Sequence, residues 1–455
     1  MLRIYLDTNL LTKIEDFPLL KEKLSIYSDY LNIVYSSAHI DDLSRSSNAE
    51  LTLKDLNTIK YYSQDQCLAK YWGEDSLRYD TRDPIEFYET SKETSIDIVD
   101  TFTYLDQECE KLGIENPLNK LGTKVTFDAP IDQQNNLFSF TRFKRNPTFK
   151  SLFDDIAEVF QQSLTSNNLL KVARTQFDEQ IPRSAIANIK GNIIDYLNEE
   201  LPKTVFNKTF DELALDSLNL RGKDKSYSHF DWFITRYNIL DLVGYKSDNN
   251  STTSNIVTDA FHAFYAAHCD IFLSQDKRLR DKAKVLYKES AITTLIFSET
   301  EFCNFIDQLI FRIQTTTRLA DFIRNIHTLN TECFYCNIDT RSVITEYRLE
   351  TFFAGYFDYV IWVMTDNDTT ITVFTKENRT LSNWYYYKEL QSLVKVFVEL
   401  LGPDMNNNVE FTNIEQELAE DKIWAGRMWH FEGLLISLSQ DKDLEIVLRL
   451  ETIKN

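Results

Sequence analysis

The sequence predicts an α/β core with a parallel sheet, interrupted by a large helical insertion and followed by an α+β domain with an antiparallel sheet. Three observations predict it. Short apolar runs at 3–6, 32–37 and 271–273 read as strands, and each leads into a stretch of helical spacing, the alternation that builds a parallel sheet. These runs lie near the two ends of the first 300 residues, with long helical stretches between them. Beyond residue 300, longer strand-like runs appear with a hairpin signal.

In chain order, Arg3-Ile4-Tyr5-Leu6 is a minimal strand that runs into Asp7, with Thr8-Asn9 able to cap the next helix. Asn32-Ile33-Val34-Tyr35-Ser36-Ser37 is a second strand, leading into Ala38-His39-Ile40-Asp41-Asp42-Leu43. Residues 49–236 read as the helical insertion: apolar positions recur every three or four residues over 51–70, 95–112, 149–160 and 183–201, with polar, proline-containing connectors between them. The chain returns to the sheet through 231–244, passes a polar loop at 246–255, and reaches a short helix that opens on Asp259, where Ala260, Phe264 and Ala267 recur at helical spacing. Ile271-Phe272-Leu273 suits a parallel strand buried on both faces, Asp276 follows it, and 293–297 supplies the last strand. The core therefore comprises 1–48 and 237–300. Over 301–455 we expect a helix at 301–326, strands at 343–349, 356–364 and 369–375 with a turn at 366–368, helices at 387–401 and 414–424, and strands at 428–438 and 444–450.

Composition bounds the class. A chain of 455 residues is too long for one ordinary core. Only 10 glycines and 8 prolines mean that most of it is ordered, and so few glycines, none in a phosphate-cradling loop, argue against a nucleotide-binding fold. No apolar run approaches a membrane span, and the first residues lack the regions of a signal peptide, so the expectation is a soluble, cytoplasmic protein. Six cysteines without regular spacing fit a reducing compartment; Cys333 and Cys336 have the spacing of half a zinc site, but no second pair follows. His262 and His268 fall on different faces of a helix and read as structural.

Two strands end on aspartate, and in open α/β sheets ligands collect outside the carboxyl ends of the strands. Taken singly, each acid is explained as well by helix capping; the combination points to a site. Asp7 with Asn9, Asp42 with Leu43, Asp259, and Asp276 in Ser274-Gln275-Asp276 together resemble the motif of the PIN-domain nucleases, over residues 1–48 and 238–300. That family has a strand ending in Asp-Thr-Asn or similar, an acid followed by Leu on an early helix, an Asp opening a later helix, and a last Asp after Thr or Ser and one further residue. Where the family usually has Glu, this chain has Asp42, with Asp41 beside it as the other choice for the second acid. The acids at 42 and 259 are 217 positions apart, far more than in ordinary PIN domains, hence the insertion.

Four carboxylates brought together repel one another unless a cation neutralises them, and an all-oxygen set suits Mg²⁺ or Mn²⁺. Such an ion polarises a phosphodiester and lowers the pKa of a bound water. The expectation is a metal-dependent endoribonuclease cutting single-stranded RNA, with the resemblance implying a toxin, RNA-processing or defence role. A DNA-directed nuclease and a non-catalytic scaffold or protein-interaction module are the alternatives. A net charge of −21 means that any nucleic-acid groove is local. Lys277, Arg278 and Arg280 directly after the last acid are one candidate for it, and Arg142, Lys144 and Arg145, interleaved with Phe140, Phe143 and Phe149, are another. The insertion and the C-terminal domain are the expected places for a protein partner or a homo-oligomer contact.

Overall fold

A computed structural model describes residues 1–70, 77–94, 174–175, 177–187, 189, 191–219, 227–248, 252–316, 332–338, 342–365, 370–376, 387–412, 424–441 and 445–452. The chain divides into two compact units: Met1–Pro84, Tyr265–Arg280 and Tyr287–Asn455 form the first, and Ile85–Phe264 with Asp281–Leu286 the second.

The first unit contains a mixed sheet of β1 (Leu2–Leu6), β2 (Leu31–Ser36), β3 (Gln66–Lys70), β4 (Leu77–Thr81), β5 (Ile271–Leu273) and β6 (Leu295–Phe297), in the order β4-β3-β2-β1-β5-β6. Every pairing is parallel except that of β3 with β4. All residues of β1 and β2 are buried, as strands covered on both faces require. The early connections carry α1 (Thr8–Thr12), α2 (Pro18–Ile26), α3 (Ser37–Ser44) and α4 (Ala49–Ser63). The chain steps outward from β1 through β2 to β3, then returns to the other side of β1 for β5 and β6, so the direction of winding reverses between β1 and β5.

The spacing over 51–70 predicts one helix inside the insertion. Instead α4 stops at Ser63, and β3 and β4, both within the range 49–236, join the sheet. The helix ends because Gln64 and Asp65 adopt left-handed backbone (φ 50 and 66), with the Gln64 N–H still bonded to the Lys60 carbonyl at 2.9 Å. That turn usually takes Gly or Asn, so apolar spacing runs through it unnoticed.

The second unit is helical among its described residues: α5 (Pro84–Thr94), α6 (Arg183–Ala187), α7 (Ile193–Glu200), α8 (Phe210–Asn219), α9 (His229–Leu242) and most of α10 (Thr253–Ala266). The helix expected over 183–201 is divided into α6 and α7, and those expected over 95–112 and 149–160 lie outside the described residues. Where a return to the sheet was expected, 231–244 forms α9, opened by a capping box between Ser228 and Asp231. Phe233 to Tyr237 are buried in succession, and a helix enclosed all round reads in sequence like a strand. Phe264 of α10 packs on Phe230 and Phe233 of α9 with ring centroids 4.8 and 5.6 Å away. Asp241 is buried and takes charge partners from Arg174 and from Lys282 Nζ, the latter at 2.6 Å, so Lys282, which follows the basic residues 277, 278 and 280, is structural.

α11 (Lys277–Glu289) and α12 (Glu299–Thr316) flank β6 in sequence. A separate antiparallel sheet follows, built from β7 (Glu332–Ile338), β8 (Ser342–Phe353), β9 (Phe357–Thr365), β10 (Thr370–Thr375), β11 (Arg427–Phe431), β12 (Leu434–Gln440) and β13 (Ile446–Thr452) in the order β11-β12-β13-β10-β9-β8-β7. α13 (Tyr387–Leu401) sets Leu390, Val394 and Phe397 into a core with Phe353, Phe374, Trp429 and Leu448. The single strand expected over 428–438 is a hairpin, because Glu432 (φ 47) and Gly433 (φ 81) make the two-residue turn with positive φ that matches strand twist. The turn at 366–368 and residues 414–423 of the helix expected at 414–424 lie outside the described residues, and Trp424 is not helical.

Residues 301–455, expected as a domain of their own, share the first unit with the mixed sheet. A buried charge cluster joins them. Arg3 of β1 donates from Nε and Nη2 to the two carboxylate oxygens of Glu389 on α13, at 2.6 and 2.7 Å. Asp270 Oδ2 accepts from the Arg3 backbone N–H at 2.8 Å and from Lys376 Nζ at 2.8 Å, and the Arg3 guanidinium lies 4.0 Å from the Tyr79 ring centroid. Burial alone would raise the Glu389 pKa; the Arg3 guanidinium, followed by Lys376, reverses this and holds it below the usual glutamate value. Among the described residues no helix is long and apolar enough to cross a membrane.

Candidate functional site

At the carboxyl end of β1 the apolar run gives way to Asp7, which is 5 % exposed and caps α1 through Oδ1, accepting from Leu10 N–H at 2.8 Å. Its own N–H donates to the Leu273 carbonyl of β5 at 2.9 Å, and Leu6 pairs with Leu273, so Asp7 and Ser274 continue adjacent strands past the same edge. Ser274 is fully buried; its hydroxyl accepts from Asp276 N–H at 3.0 Å and its N–H reaches the Phe297 carbonyl at 3.2 Å. The exposed Asp276 caps α11, Oδ1 accepting from Arg278 N–H at 2.7 Å and Leu279 N–H at 3.2 Å. Two expected acids therefore stand at the ends of neighbouring strands, where the winding reverses.

Asp42 reaches the same edge from α3. Its Oδ2 accepts from Thr8 Oγ1 at 2.7 Å, next in sequence to Asp7, while Arg45 lies 3.5 Å from its Oδ1. Of the adjacent pair it is Asp42 that makes this bond; Asp41 offers its backbone carbonyl to Ser44. Asn9 sits exposed on α1. Asp259 does not open its helix. α10 begins six residues earlier, at Thr253, where Thr252 Oγ1 accepts from Asn255 N–H at 3.3 Å, so Asp259 is half-buried in mid-helix and belongs to the second unit. Lys277 and Arg278 are exposed on the first turn of α11, and Arg280 donates from Nη1 to the Ser274 carbonyl, tying the basic turn to the acid loop. Arg142, Lys144 and Arg145 lie outside the described residues.

Beneath the edge lies a polar layer that the sequence did not announce. His39 is fully buried; Ser36 N–H donates to its Nδ1 at 3.1 Å, which leaves Nε2 as the donor to the Leu6 carbonyl at 2.8 Å. Tyr5 OH lies 2.6 Å from Ser36 Oγ, and Ser37 Oγ lies 2.9 Å from Tyr265 OH. Burial holds the Tyr5 phenol well above its ordinary pKa, with the Ser36 hydrogen bond opposing, so it remains a neutral hydroxyl. His39 thus fixes the backbone immediately before Asp7. The available signal was its position three residues after Ser36, the N3 place of a capping box.

The amino ends of α3 and α11 both begin at this edge, capped by Ser36 and Asp276, and their dipoles favour anions such as phosphate. The acids supply the opposite preference, for a cation. Among the described residues, however, no three His, Cys, Asp or Glu side chains are gathered closely enough to hold a metal ion as they stand. No protein-family profile, curated protein or solved structure matches the chain.

Proposed function

We propose that the chain is a PIN-like, metal-dependent nuclease that hydrolyses single-stranded RNA at the carboxyl edge of the mixed sheet. One observation carries the reading: Asp7 and the Ser274–Asp276 loop adjoin at the ends of β1 and β5, the reversal point at which open α/β sheets bind ligands. Asp7, Asp42 and Asp276 would hold Mg²⁺ or Mn²⁺, with Asp259 the fourth acid of the resemblance. The ion would supply a polarised phosphodiester and an activated water. Thr8 orients Asp42, Ser274 and Arg280 fix the loop that carries Asp276, and the first turn of α11 offers Lys277 and Arg278 to the substrate's phosphates. The second reading is a scaffold that binds without cutting.

The test is cleavage of labelled single-stranded RNA and DNA in Mg²⁺ or Mn²⁺ by the intact chain and by Asp7→Asn and Asp276→Asn. Asparagine preserves both helix caps, so lost activity reports lost charge and not a lost fold. Metal-dependent cutting that both substitutions abolish sustains the proposal, and the preferred strand identifies the substrate. Equal behaviour of all three proteins on every substrate transfers the reading to the scaffold.

A further inference from the structure

Cations stabilise the carboxyl end of a helix and acids its amino end, and α11 places its charges against that rule. After its cap Asp276 it has no acid in the first turn and sets Lys277, Arg278 and Arg280 there. Over Lys277–Glu289 it carries six cations against two acids, in a chain of net charge −21. Two of the six are used by the fold: Arg280 donates to the Ser274 carbonyl and Lys282 to Asp241. Lys277, Lys284 and Lys288 are exposed and have no ion-pair partner among the described residues. Their spacing along the helix brings them within about 40° of one another around its axis, in a line about 16 Å long. Lys284 and Lys288, one turn apart, repel each other. Asp281, the acid on this line, lies 3.5 Å from Lys246 Nζ and is already countered.

Local rules are broken where something else is gained, and a row of cations kept together against dipole and mutual repulsion suits an extended polyanion. The apolar residues of α11 choose among polyanions. Leu279, Ala283, Leu286 and Tyr287 are buried, and only the half-buried Val285 shows on the lysine side. A membrane surface asks for apolar side chains that insert beside the cations, and a protein partner asks for an aromatic or aliphatic anchor. This face offers neither. Nucleic acid is held through phosphate contacts alone. We propose that a single-stranded nucleic acid lies along α11, its phosphates on Lys277, Lys284 and Lys288, and is led by this line to Asp276. The occupant rests on the nuclease reading, to which the line adds a flank: the bound strand extends from the acid edge along the length of the helix.

The test is fluorescence anisotropy of the full chain with a dye-labelled oligouridylate in EDTA, where binding is read without metal or cleavage. Lys284→Gln/Lys288→Gln keeps helix-forming residues and leaves Asp276 and Lys277 untouched. It should weaken binding about tenfold and flatten the slope of log affinity against log salt by about 1.4, the share of two phosphate contacts. Lys284→Arg/Lys288→Arg should bind as the parent does. Lys54→Gln/Lys395→Gln removes the same charge from exposed positions on α4 and α13 and should change nothing, and a methylphosphonate oligomer, whose backbone is uncharged, should not bind. The proposal fails if the oligouridylate does not bind, if the α4 and α13 variant weakens it as much as the α11 variant, or if the methylphosphonate binds equally. It fails also if phosphatidylserine vesicles sediment the chain and the α11 variant releases it. Failure of the nuclease reading looks different. Absence of cleavage in Mg²⁺ or Mn²⁺ with α11-dependent binding intact overturns the cutting and keeps the strand site. Asp7-dependent cleavage with binding unchanged in Lys284→Gln/Lys288→Gln overturns the strand site and keeps the cutting.

Discussion

Removing the Glu389 charge should destabilise the first unit more than any exposed ion-pair substitution. Glu389 is fully buried, its partner Arg3 is 7 % exposed at the side chain, and the contact is two-pronged at 2.6 and 2.7 Å. Glu389→Gln keeps the shape and takes from the buried guanidinium the one carboxylate that grips it, since Asp270 is held by Lys376 and the Arg3 backbone, a change that costs about 3–5 kcal/mol. Exchanging both partners for apolar residues, Arg3→Met with Glu389→Leu, removes the orphan charge and should recover most of that loss. Asp270 accepts from the backbone of Arg3, so this bond survives both exchanges. Urea unfolding followed by tryptophan fluorescence measures the differences through the midpoints. The pH dependence supplies a second reading. Since the folded Glu389 carboxyl titrates below its unfolded value, near about 4.3, its contribution is fully present above that value and is lost as pH falls through the lower folded one. Glu389→Gln should remove that part of the acid limb. A cost under about 1 kcal/mol, the value of an exposed pair, or a double variant no more stable than the single, would refute the role given to this cluster.

Four further outcomes are expected. Asp7→Ala should lower stability by about 0.5–2 kcal/mol through loss of the α1 cap while Asp7→Asn does not, as thermal melts would register. His39→Leu strands the Ser36 N–H and the Leu6 carbonyl and should cost about 1–3 kcal/mol or more in chemical denaturation. Gly426→Ala places a Cβ against the Leu438 carbonyl and 2.6 Å from Ser439 Cβ at φ +89°, so it should destabilise well beyond Gly433→Ala, which meets open space and bears only left-handed strain of about 1–2 kcal/mol. Cys67 and Cys303 are buried, and burial pushes both thiols up to about 12, so neither should react with a thiol reagent at neutral pH until the chain is unfolded.

The strands at the acid edge were legible because Ile4-Tyr5-Leu6 and Ile271-Phe272-Leu273 are short apolar runs that end on a polar residue, too short for a helix and with no competing period. α13 was legible for the opposite reason: its apolar face repeats cleanly until Gly402-Pro403 stops it. What failed was punctuation by unusual residues. Gln64-Asp65 and Glu432-Gly433 turn the chain with left-handed residues outside the Asn-Gly vocabulary, which hid β3 and the β11–β12 hairpin. Enclosed helices failed too, since α9 has no polar face to set its period. At the candidate site, Asp7 and Asp276 follow from local sequence, whereas Thr8 and His39 matter through partners more than 30 residues away, which no local spacing encodes.

The central strand also sets a timetable. β1 finds its first neighbour in β2 almost at once, but its other neighbour, β5, is joined across 267 residues, and its anchor Glu389 lies 386 residues downstream of Arg3. At ribosomal speeds of about 5–20 residues per second, β1 therefore waits on the order of 10–50 s with one edge unpaired. Throughout that interval Arg3 is solvated, and the edge is open to foreign strands. The acid pair Asp7 and Asp276 does not exist as a pair until β5 is seated. Whatever chemistry that edge performs is thereby withheld from the nascent chain until β5 has been made and has paired with β1.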